Sequence, residues 1–514
     1  MLFAWLAGLN LDVQGAYYDE LHQAPASFRL IGKNPTLFTY APLGIPLLNL
    51  PYSGAIKSNI YGLYLRYVSP QFTIYTWRSL GIALTALGLF FFYLIARRVL
   101  LLSAALLFAG LMLTDLAVLL MTRHDWGPVA LSLSLRLVFV GLWISIASGE
   151  KGRFRYLAAG LIVGIAVYEK LSAFVLVAPL GLLLLASRKE GGRPWIMCGV
   201  GLATGLIPLV AINARSYWTT QSFISVSTVG ALQPASGLNI FEYSKRYFSL
   251  ALGGGAQDLI LGELSSSYRP DIEAGLMLLA MTIVLIAAFV LRQDSPFLRI
   301  AGLMAASYLL VGVLVFLLPL PTDMHHWILG TPFQYTAIAM AIPALAGRFR
   351  ESRGIAVLTV TCMVATAGLV ANRLPNSVDA VNSLIAGKSS LRFSPVFTRL
   401  GQLAARHSQS AAFISADWGT ATQLYCFTDG QDDVSYEPYW SGDPATAVIT
   451  VANQTQKQTL YVVIAGLAPQ FGEAAARIVS ALRDSEDWEE VPPEREFASL
   501  VPLEIRKFVR ISAR

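Results

Sequence analysis

The stretch AGLMLLAMTIVLIAAFVL occupies residues 274–291, and its only hydrogen-bonding side chain is that of Thr282. A helix needs about 20 predominantly apolar residues to cross the hydrocarbon core of a bilayer. A helix that is apolar on all sides is typical of a membrane span or of the centre of a large protein. This stretch therefore predicts a membrane-spanning helix.

Comparable apolar runs recur along the chain, and together they predict an α-helical polytopic membrane protein. Only 14% of the 514 residues are charged, whereas an average soluble domain has about 25%. Residues 1–10 form half a run, which we interpret as a truncated first span, so about eleven crossings are expected. The other runs occupy residues 79–96, 99–120, 128–148, 156–168, 171–187, 195–212, 274–291, 300–319, 327–346 and 355–371.

Basic residues are concentrated in alternate loops between these runs. Loops rich in Lys and Arg are retained in the cytoplasm, so the remaining loops and the C-terminal region are expected outside the plasma (inner) membrane. The formal net charge of +6 is then a sign of topology, and nucleic acid is not an expected partner. The basic loops contain Arg97, Arg98, Lys151, Arg153, Arg155, Arg188, Lys189, Arg193, Arg292, Arg299, Arg348, Arg350 and Arg353.

The composition changes near residue 374, where the long apolar runs end. We expect a transmembrane domain in residues 1–375 and a small extracytoplasmic α/β domain in residues 376–514. Alternating and amphipathic patterns predict the elements of the second domain. They are helices at Pro395–Arg406 and Gln470–Leu482, strands at Ala411–Ser415 and Leu460–Ala465, and terminal strands within Glu496–Val509.

Side chains that can carry chemistry fall in the predicted outward loops. A carboxylate can accept a proton from an acceptor hydroxyl as a general base. Cationic side chains can bind a phosphate leaving group and stabilise its developing charge. Both kinds of group on one side of a membrane indicate a lipid-phosphate substrate. The carboxylates are Asp19, Glu20 and Asp125, and the cationic or protonatable residues are Arg123, His124, Lys170, His325 and His326.

Each of these residues also has an ordinary structural explanation. Asp19–Glu20 could form a helix-capping turn, and Arg123 could form an ion pair with Asp125. The pair His325–His326 could lie in the aromatic belt at the membrane interface. Lys170 separates two apolar runs, and a charged residue there usually has a partner or a function. Its neighbouring glutamate could be that partner.

Several other functions lack the motifs they require. The three cysteines have neither disulfide nor metal-ligand spacing, and the adjacent histidines are not separated by a helical turn. No cofactor is therefore predicted; a divalent metal is chemically possible but has no supporting pattern. The absence of a P-loop, a G-x-S-x-G motif and a dinucleotide fingerprint argues against ATP-driven transport and serine-hydrolase chemistry.

In their order along the chain, these motifs resemble the GT-C glycosyltransferases, in particular the bacterial family-39-like and protein-mannosyltransferase-like membrane enzymes. Each motif is short, and the resemblance depends on their order and on their shared predicted side of the membrane. It covers residues 15–345 well and the C-terminal part loosely. The motifs are Asp19–Glu20, Leu50–Lys57, Arg123–His124–Asp125, the glycine-rich segment Gly160–Lys170, His325–His326 with Pro332, and Ala416–Asp417–Trp418–Gly419.

The resemblance implies an inverting transfer of a hexosyl or pentosyl group from a polyprenyl-phosphate donor. The acceptor would be a glycan, lipid or protein on the outer face of the membrane. The implied catalytic residues are Asp19, as general base or acceptor anchor, with Glu20 and Asp125. The implied phosphate-binding residues are Arg123, His124, Lys170, His325 and His326.

Two other functions are compatible with a polytopic chain. A transporter or flippase of a lipid-linked glycan should have polar residues near the bilayer midplane, often in repeated halves. This sequence has its polar clusters in loops and no internal repeat. A membrane scaffold for the C-terminal domain would leave the loop carboxylates without a function.

Overall fold

A computed structural model describes residues 1–35, 40–41, 44–150, 152–225, 239–250, 254–291, 295–318, 324–465 and 471–511. Three residues used in the sequence interpretation, Lys151, Arg292 and Gln470, lie outside these ranges. The chain divides into two compact units. The transmembrane unit contains Met1–Leu9, Pro51–Gly54 and Arg78–Ala386, and the sheet unit contains Asn10–Leu50, Ala55–Trp77 and Gly387–Arg514.

Helices dominate the described part of the chain. In chain order they are α1 (Leu2–Ala7), α2 (Tyr18–Leu21), α3 (Ile56–Tyr67), α4 (Ile74–Ala96), α5 (Leu102–Leu113), α6 (Leu116–His124), α7 (Val129–Ala147), α8 (Arg153–Glu169), α9 (Val177–Ala186), α10 (Arg193–Thr220), α11 (Ile240–Leu250), α12 (Gly254–Leu261), α13 (Pro270–Leu291), α14 (Pro296–Phe316), α15 (Met324–Trp327), α16 (Phe333–Ala346), α17 (Arg353–Ile385), α18 (Pro395–His407), α19 (Ala421–Phe427), α20 (Pro444–Gln454), α21 (Gly472–Arg483) and α22 (Arg495–Ala498). The strands are β1 (Leu48–Leu50), β2 (Ser53–Gly54), β3 (Ala411–Ser415), β4 (Ser435–Tyr436), β5 (Thr459–Ala465), β6 (Trp488–Val491) and β7 (Leu503–Arg510).

Among the described residues, seven helices are long and apolar enough to cross a membrane. The bent pair α5 and α6, with a 63° change of direction, could form an eighth span. The predicted polytopic architecture is therefore confirmed. The expected number of eleven crossings stays a prediction, because the helices α1, α8 and α9 are each shorter than a full membrane span. The seven are Ile74–Ala96, Val129–Ala147, Arg193–Thr220, Pro270–Leu291, Pro296–Phe316, Met324–Ala346 and Arg353–Ile385.

The break between α5 and α6 divides the run predicted as one helix at residues 99–120. Asp115 is the N-cap of α6, and its Oδ1 accepts hydrogen bonds from the backbone N–H groups of Ala117 and Val118. A carboxylate at this position satisfies backbone donors that the first helical turn leaves without partners. The second part of the run therefore has its own direction.

Glycines bring α8 and α10 into backbone contact. A Cβ added at Gly160 would lie 2.1 Å from the carbonyl oxygen of Cys198, and one at Gly201 would lie 2.1 Å from that of Leu157. Any larger residue would separate the helices, because real Cβ atoms do not approach backbone this closely. The glycine-rich part of α8 thus fixes the helix that ends immediately before Lys170.

The sheet unit contains a five-stranded mixed sheet with the strand order β4-β3-β5-β7-β6. Strand β3 is parallel to β4 and β5, and β7 is antiparallel to β5 and β6. Apolar clusters cover both faces of the sheet, which is why consecutive residues of β3 are all buried. The predicted helix at Pro395–Arg406 and the predicted strands β3 and β5 are present; the segment predicted as terminal strands begins with the short helix α22.

The sheet unit also contains an N-terminal segment. The backbone N–H of Gly15 donates to the carbonyl of Phe393 at 2.6 Å, and the amide of Gln423 donates to the carbonyl of Ala16 at 3.0 Å. A Cβ at Gly15 would lie 1.7 Å from the carbonyl oxygen of Ser394, so only glycine fits there. In the division into compact units, residues 10–50 and 55–77 group with the C-terminal residues. The domain boundary between residues 375 and 376 stays a prediction.

Candidate active site

The acidic pair lies in the short helix α2 of the sheet unit. Asp19 is partly exposed, whereas Glu20 is fully buried. The N-cap is Tyr17, which makes no side-chain capping bond, so the carboxylates do not occupy the N-cap position of this helix. The Nδ1 atom of His22 lies 2.5 Å from the carbonyl oxygen of Asp19 and donates to it. Asp19 is thus a partly exposed residue whose backbone carbonyl is held by the neighbouring imidazole.

Aromatic rings hold this turn within the sheet unit. The ring centroid of Trp418 lies 4.7 Å from that of Tyr18 and 6.0 Å from that of Tyr17. Trp418 is fixed in turn by Asp417, whose Oδ1 accepts the backbone N–H groups of Trp418 and Phe471, each at 2.8 Å. Aromatic contacts of this geometry stabilise beyond simple area burial. The motif Ala416–Gly419 therefore packs against the helix α2, which carries Asp19 and Glu20, and stabilises it.

Lys57 is a buried cation of the same unit that the sequence interpretation did not include among the site residues. Its side chain is fully buried on α3, and its Nζ lies 3.7 Å from the ring centroid of Trp77. The indole N–H of Trp77 donates to the carbonyl of Glu20 at 3.1 Å. A buried cation stacked on an aromatic ring contributes significantly to stability.

In the transmembrane unit, Arg123, His124 and Asp125 are buried at the C-terminal end of α6. The sequence interpretation placed all three in a loop, but Arg123 and His124 belong to the last helical turn. Asp125 follows in the left-handed conformation, with φ 46°, and its Oδ1 accepts the backbone N–H of Ala130 at 2.7 Å. Short polar residues tolerate this conformation because they form such local hydrogen bonds.

Part of the Arg123 guanidinium has a structural partner. Its Nη1 donates to the carbonyl of Ala7 at 2.8 Å and also to the carbonyl of Leu9. These carbonyls follow the last turn of α1, where backbone acceptors lack helical partners. Arg123 thus anchors the short first helix, and a role in binding phosphate stays a prediction.

Lys170 lies at the break between α8 and a 3₁₀ turn formed by Leu171–Leu176, as the sequence predicted. Its backbone is extended, and it forms a β-bridge with Ser53. The side chain is only 7% exposed, and Nζ donates to the carbonyl of Gly127 at 3.2 Å. The ammonium group is therefore held beside the turn that follows Asp125.

The adjacent histidines approach the same turn from α15. The ring of His325 lies 5.2 Å from that of Trp126, and the two histidine rings lie 4.0 Å apart. His326 is buried and lies within electrostatic range of Lys170. The structure therefore brings the Asp125 turn, Lys170 and both histidines into one buried polar cluster, which we call the cation cluster.

Two further buried arginines lie on the helices around this cluster. Arg78, on α4, is fully buried one turn before Gly81, where an added Cβ would lie 3.5 Å from the Cβ of Asp125. Arg136, on α7, donates to the carbonyls of Thr331 and Ile328 and to the hydroxyl of Ser132. The surrounding runs are so apolar that they indicate only membrane spans. A charge within the run at residues 128–148 is the signal that could have identified Arg136, whereas Arg78 directly precedes the run at residues 79–96.

Among the residues with described positions, no group of three or more His, Cys, Asp or Glu side chains is arranged to hold a metal ion. The cation cluster instead combines an ammonium group and two imidazoles with a carboxylate. The ammonium and imidazole N–H groups can donate to an anionic oxygen ligand, and burial strengthens these electrostatic interactions.

The fold has known structural counterparts. No protein-family profile and no characterised protein sequence matches the chain. The chain is similar in structure to ArnT from Cupriavidus metallidurans bound to undecaprenyl phosphate, with a TM-score of 0.59, 10% identity, and coverage of 100% of this chain and 98% of ArnT. The apo state of the same protein gives a TM-score of 0.57, 11% identity, and coverage of 99% and 96%. The chain therefore has the fold of ArnT, and with seven apolar helices of membrane-spanning length among its described residues it is a multi-pass membrane protein.

Proposed function

We propose that this protein is a glycosyltransferase that moves a sugar from a polyprenyl-phosphate donor to an acceptor on the outer face of the membrane, with inversion at the anomeric carbon. The observation that carries the proposal is the cation cluster, in which Lys170, His325 and His326 are gathered around the turn after Asp125. A buried set of cationic and protonatable groups next to membrane-spanning helices suits the phosphate of a lipid. The ArnT fold supports the same substrate class.

In the proposed reaction an acceptor hydroxyl attacks the anomeric carbon of the donor sugar. The bond between that carbon and the phosphate oxygen breaks, and polyprenyl phosphate leaves with the electron pair. Lys170 and His326 would stabilise the negative charge that develops on the leaving phosphate. Arg123, His124 and His325 are proposed to assist in holding the phosphate.

A carboxylate is needed to accept the proton of the attacking hydroxyl. We propose Asp19 as this general base, because its side chain is partly exposed while its helix is held by aromatic contacts. Glu20 and Asp125 are the other proposed catalytic carboxylates. Lys57, stacked on the tryptophan that binds the backbone of Glu20, is an additional candidate for binding the donor.

Replacing Asp19 tests this assignment. We expect Asp19→Asn to reduce sugar transfer in membranes by at least about 100-fold, since a general base typically contributes 10²–10⁴-fold. Asp12→Asn is a matched control, because Asp12 is an exposed aspartate of the same N-terminal segment. Transfer is measured as the release of polyprenyl phosphate from a lipid-linked sugar. Full activity of Asp19→Asn, with normal expression, would remove Asp19 from the mechanism.

The proposed orientation has its own test. The loops with few basic residues and the C-terminal part of the chain should lie outside. A phosphatase reporter fused to the C-terminus should be active, and a cytoplasmic reporter at the same position should be inactive. The reverse pattern would contradict an outward-facing reaction.

A flippase of a lipid-linked glycan is the alternative function. It would move the donor across the membrane with the bond between sugar and phosphate intact. The candidate groups are concentrated at helix ends and breaks, such as the C-terminal end of α6 and the break before Lys170. This placement favours bond cleavage at one membrane face over passage through the bilayer.

A further inference from the structure

A chain of buried polar side chains crosses the transmembrane unit outside the cation cluster. The hydroxyl of Tyr335 donates to Oδ2 of Asp115 at 2.7 Å and accepts from Nη2 of Arg373 at 2.8 Å. Nε of Arg373 donates to Oε1 of Glu273 at 2.6 Å, and the hydroxyl of Tyr268 donates to the other oxygen of Glu273. We call these five residues the buried network.

The buried network is costly for a membrane protein to contain. Asp115, Glu273 and Tyr335 are fully buried, and Arg373 is 2% exposed. Desolvating ionised groups can cost more than their mutual attraction returns, and apolar side chains of similar volume often stabilise a core as well. Ionisable residues within membrane spans generally have a function. General stability is therefore an insufficient explanation for this arrangement.

The connections of the network suggest a more specific role. Asp115 is the N-cap of α6, and the opposite end of α6 carries Arg123 and His124. Tyr335 lies in the first turn of α16, shortly after the turn that carries His325 and His326. The hydrogen bond between Asp115 and Tyr335 thus joins the two segments that supply the proposed phosphate-binding groups.

Two more helices brace this junction. Arg373 lies on α17 and also donates through Nη1 to the carbonyl of Leu111, in the last turn of α5. Glu273 lies near the start of α13. The bend between α5 and α6 is therefore attached to two long spans, and its position depends on the same guanidinium that binds Tyr335.

We propose that the buried network is a positioning device that sets the distance between the end of α6 and the histidine turn, and thereby the affinity for the donor phosphate. Tyr335 is the central positioning residue, because its hydroxyl contacts both Asp115 and Arg373. This proposal rests on the proposed function. None of the five residues needs to touch the substrate, since α6 has nine residues and is about 14 Å long.

The variant Tyr335→Phe removes only the oxygen atom that connects Asp115 to Arg373. A matched control is Tyr308→Phe. Tyr308 is also fully buried in the transmembrane unit, and its hydroxyl has no hydrogen-bond partner among the described residues. The two variants make the same chemical change at similar burial, but only Tyr335→Phe removes hydrogen bonds of the buried network.

The test measures the binding of undecaprenyl phosphate to the full-length protein in detergent, together with sugar transfer and melting temperature. We expect Tyr335→Phe to weaken binding and raise the donor KM about tenfold, because a small misplacement of binding groups can cost one to two orders of magnitude. The kcat at saturating donor should change less than the KM. Tyr308→Phe should bind with the affinity of the wild type.

A melting temperature lowered in Tyr335→Phe with unchanged affinity would show a merely structural network and overturn the proposal. If Tyr335→Phe does not fold, Glu273→Gln provides the second test. This variant removes the negative charge that pairs with Arg373 and keeps the size of the side chain. Its affinity for undecaprenyl phosphate should fall, and wild-type affinity would refute the proposal. Failure of the wild type itself to bind the lipid would contradict the proposed function, which is a separate outcome.

Discussion

The two compact units place similar ion pairs in opposite environments. In the transmembrane unit, Arg373 and Glu273 lie 2.6 Å apart with side chains that are 2% and 0% exposed. In the sheet unit, Arg477 and Asp443 are also 2.6 Å apart, but their side chains are 53% and 49% exposed. Water screens the second pair and not the first. An equal distance therefore does not indicate an equal contribution to stability.

Three of the proposed site residues, Asp19, Lys170 and His326, show the same difference in burial. Asp19, in the sheet unit, is partly exposed, which is compatible with its proposed exchange of a proton with an acceptor. Lys170 and His326, in the transmembrane unit, are buried, as suits groups that act through their electric field. For these three residues, partial exposure accompanies the proposed proton transfer, and burial accompanies the proposed charge stabilisation.

Breaking the two ion pairs should give the largest contrast in stability. We expect Arg373→Met to lower the free energy of unfolding by about 3–5 kcal/mol, because Glu273 is left as a buried carboxylate without its ionic partner. The matched change Arg477→Met should cost less than about 1 kcal/mol, since an exposed pair contributes little. Thermal unfolding of the full chain in detergent measures both. Equal losses would show that burial does not govern these pairs.

Removing the ammonium group of the cation cluster should have the next largest effect. Lys170→Met keeps most of the side-chain volume but loses the charge-assisted contact with the proposed donor phosphate. Such contacts contribute about 1.5–3 kcal/mol, so the affinity for undecaprenyl phosphate should fall about 10- to 100-fold. Lys189→Met, at an exposed lysine of the same unit, is the control and should bind normally. Equal affinities for the two variants would exclude Lys170 from phosphate binding.

The smallest expected effect is a pH dependence within the sheet unit. Burial raises the pKa of Glu437 to about 7, although the hydroxyl of Tyr439 donates to its carboxylate at 2.9 Å. The folded state then binds a proton more tightly than the unfolded state, so this contribution to stability is present at low pH and lost as the pH rises toward 7. We expect the melting temperature of the wild type to fall between pH 5 and pH 8.

Glu437→Gln should remove this part of the pH dependence. The measurement compares the melting temperatures of the wild type and the variant across the same pH range, followed by tryptophan fluorescence. The difference between the two curves isolates Glu437 from other titrating groups. A constant difference across the range would show that the carboxyl group has an ordinary pKa.

Local sequence signals predicted much of the fold. The apolar run at residues 274–291 lies within α13, and Ser394 caps α18 through a hydrogen bond from the backbone N–H of Val396. Both depend on residues within a few positions of each other. The break at Lys170 was predictable for the same reason, because a charged residue interrupts an apolar pattern.

Contacts between distant residues had no such signal. The hydrogen bond from the backbone N–H of Ala16 to the hydroxyl of Thr398 joins residues 382 positions apart. No local sequence pattern near either residue predicts this contact. Arg136 was not identified from the sequence as a candidate residue, because the apolar run around it predicts only a membrane span. The helical position of Arg123 and His124 was not predicted from the sequence. These two polar residues are continuous in sequence with the turn after Asp125, so all three were interpreted as one loop.

The most direct measurement follows the bond between sugar and phosphate. Lipid-linked sugars extracted from a deletion strain are incubated with membranes that contain either the wild type or Asp19→Asn, and the lipids are identified by mass spectrometry. We predict that the wild type converts a polyprenyl-phosphate sugar into free polyprenyl phosphate and a glycosylated acceptor, and that Asp19→Asn does not. Transbilayer movement of the lipid-linked sugar with its bond intact, and no release of polyprenyl phosphate, would contradict the account.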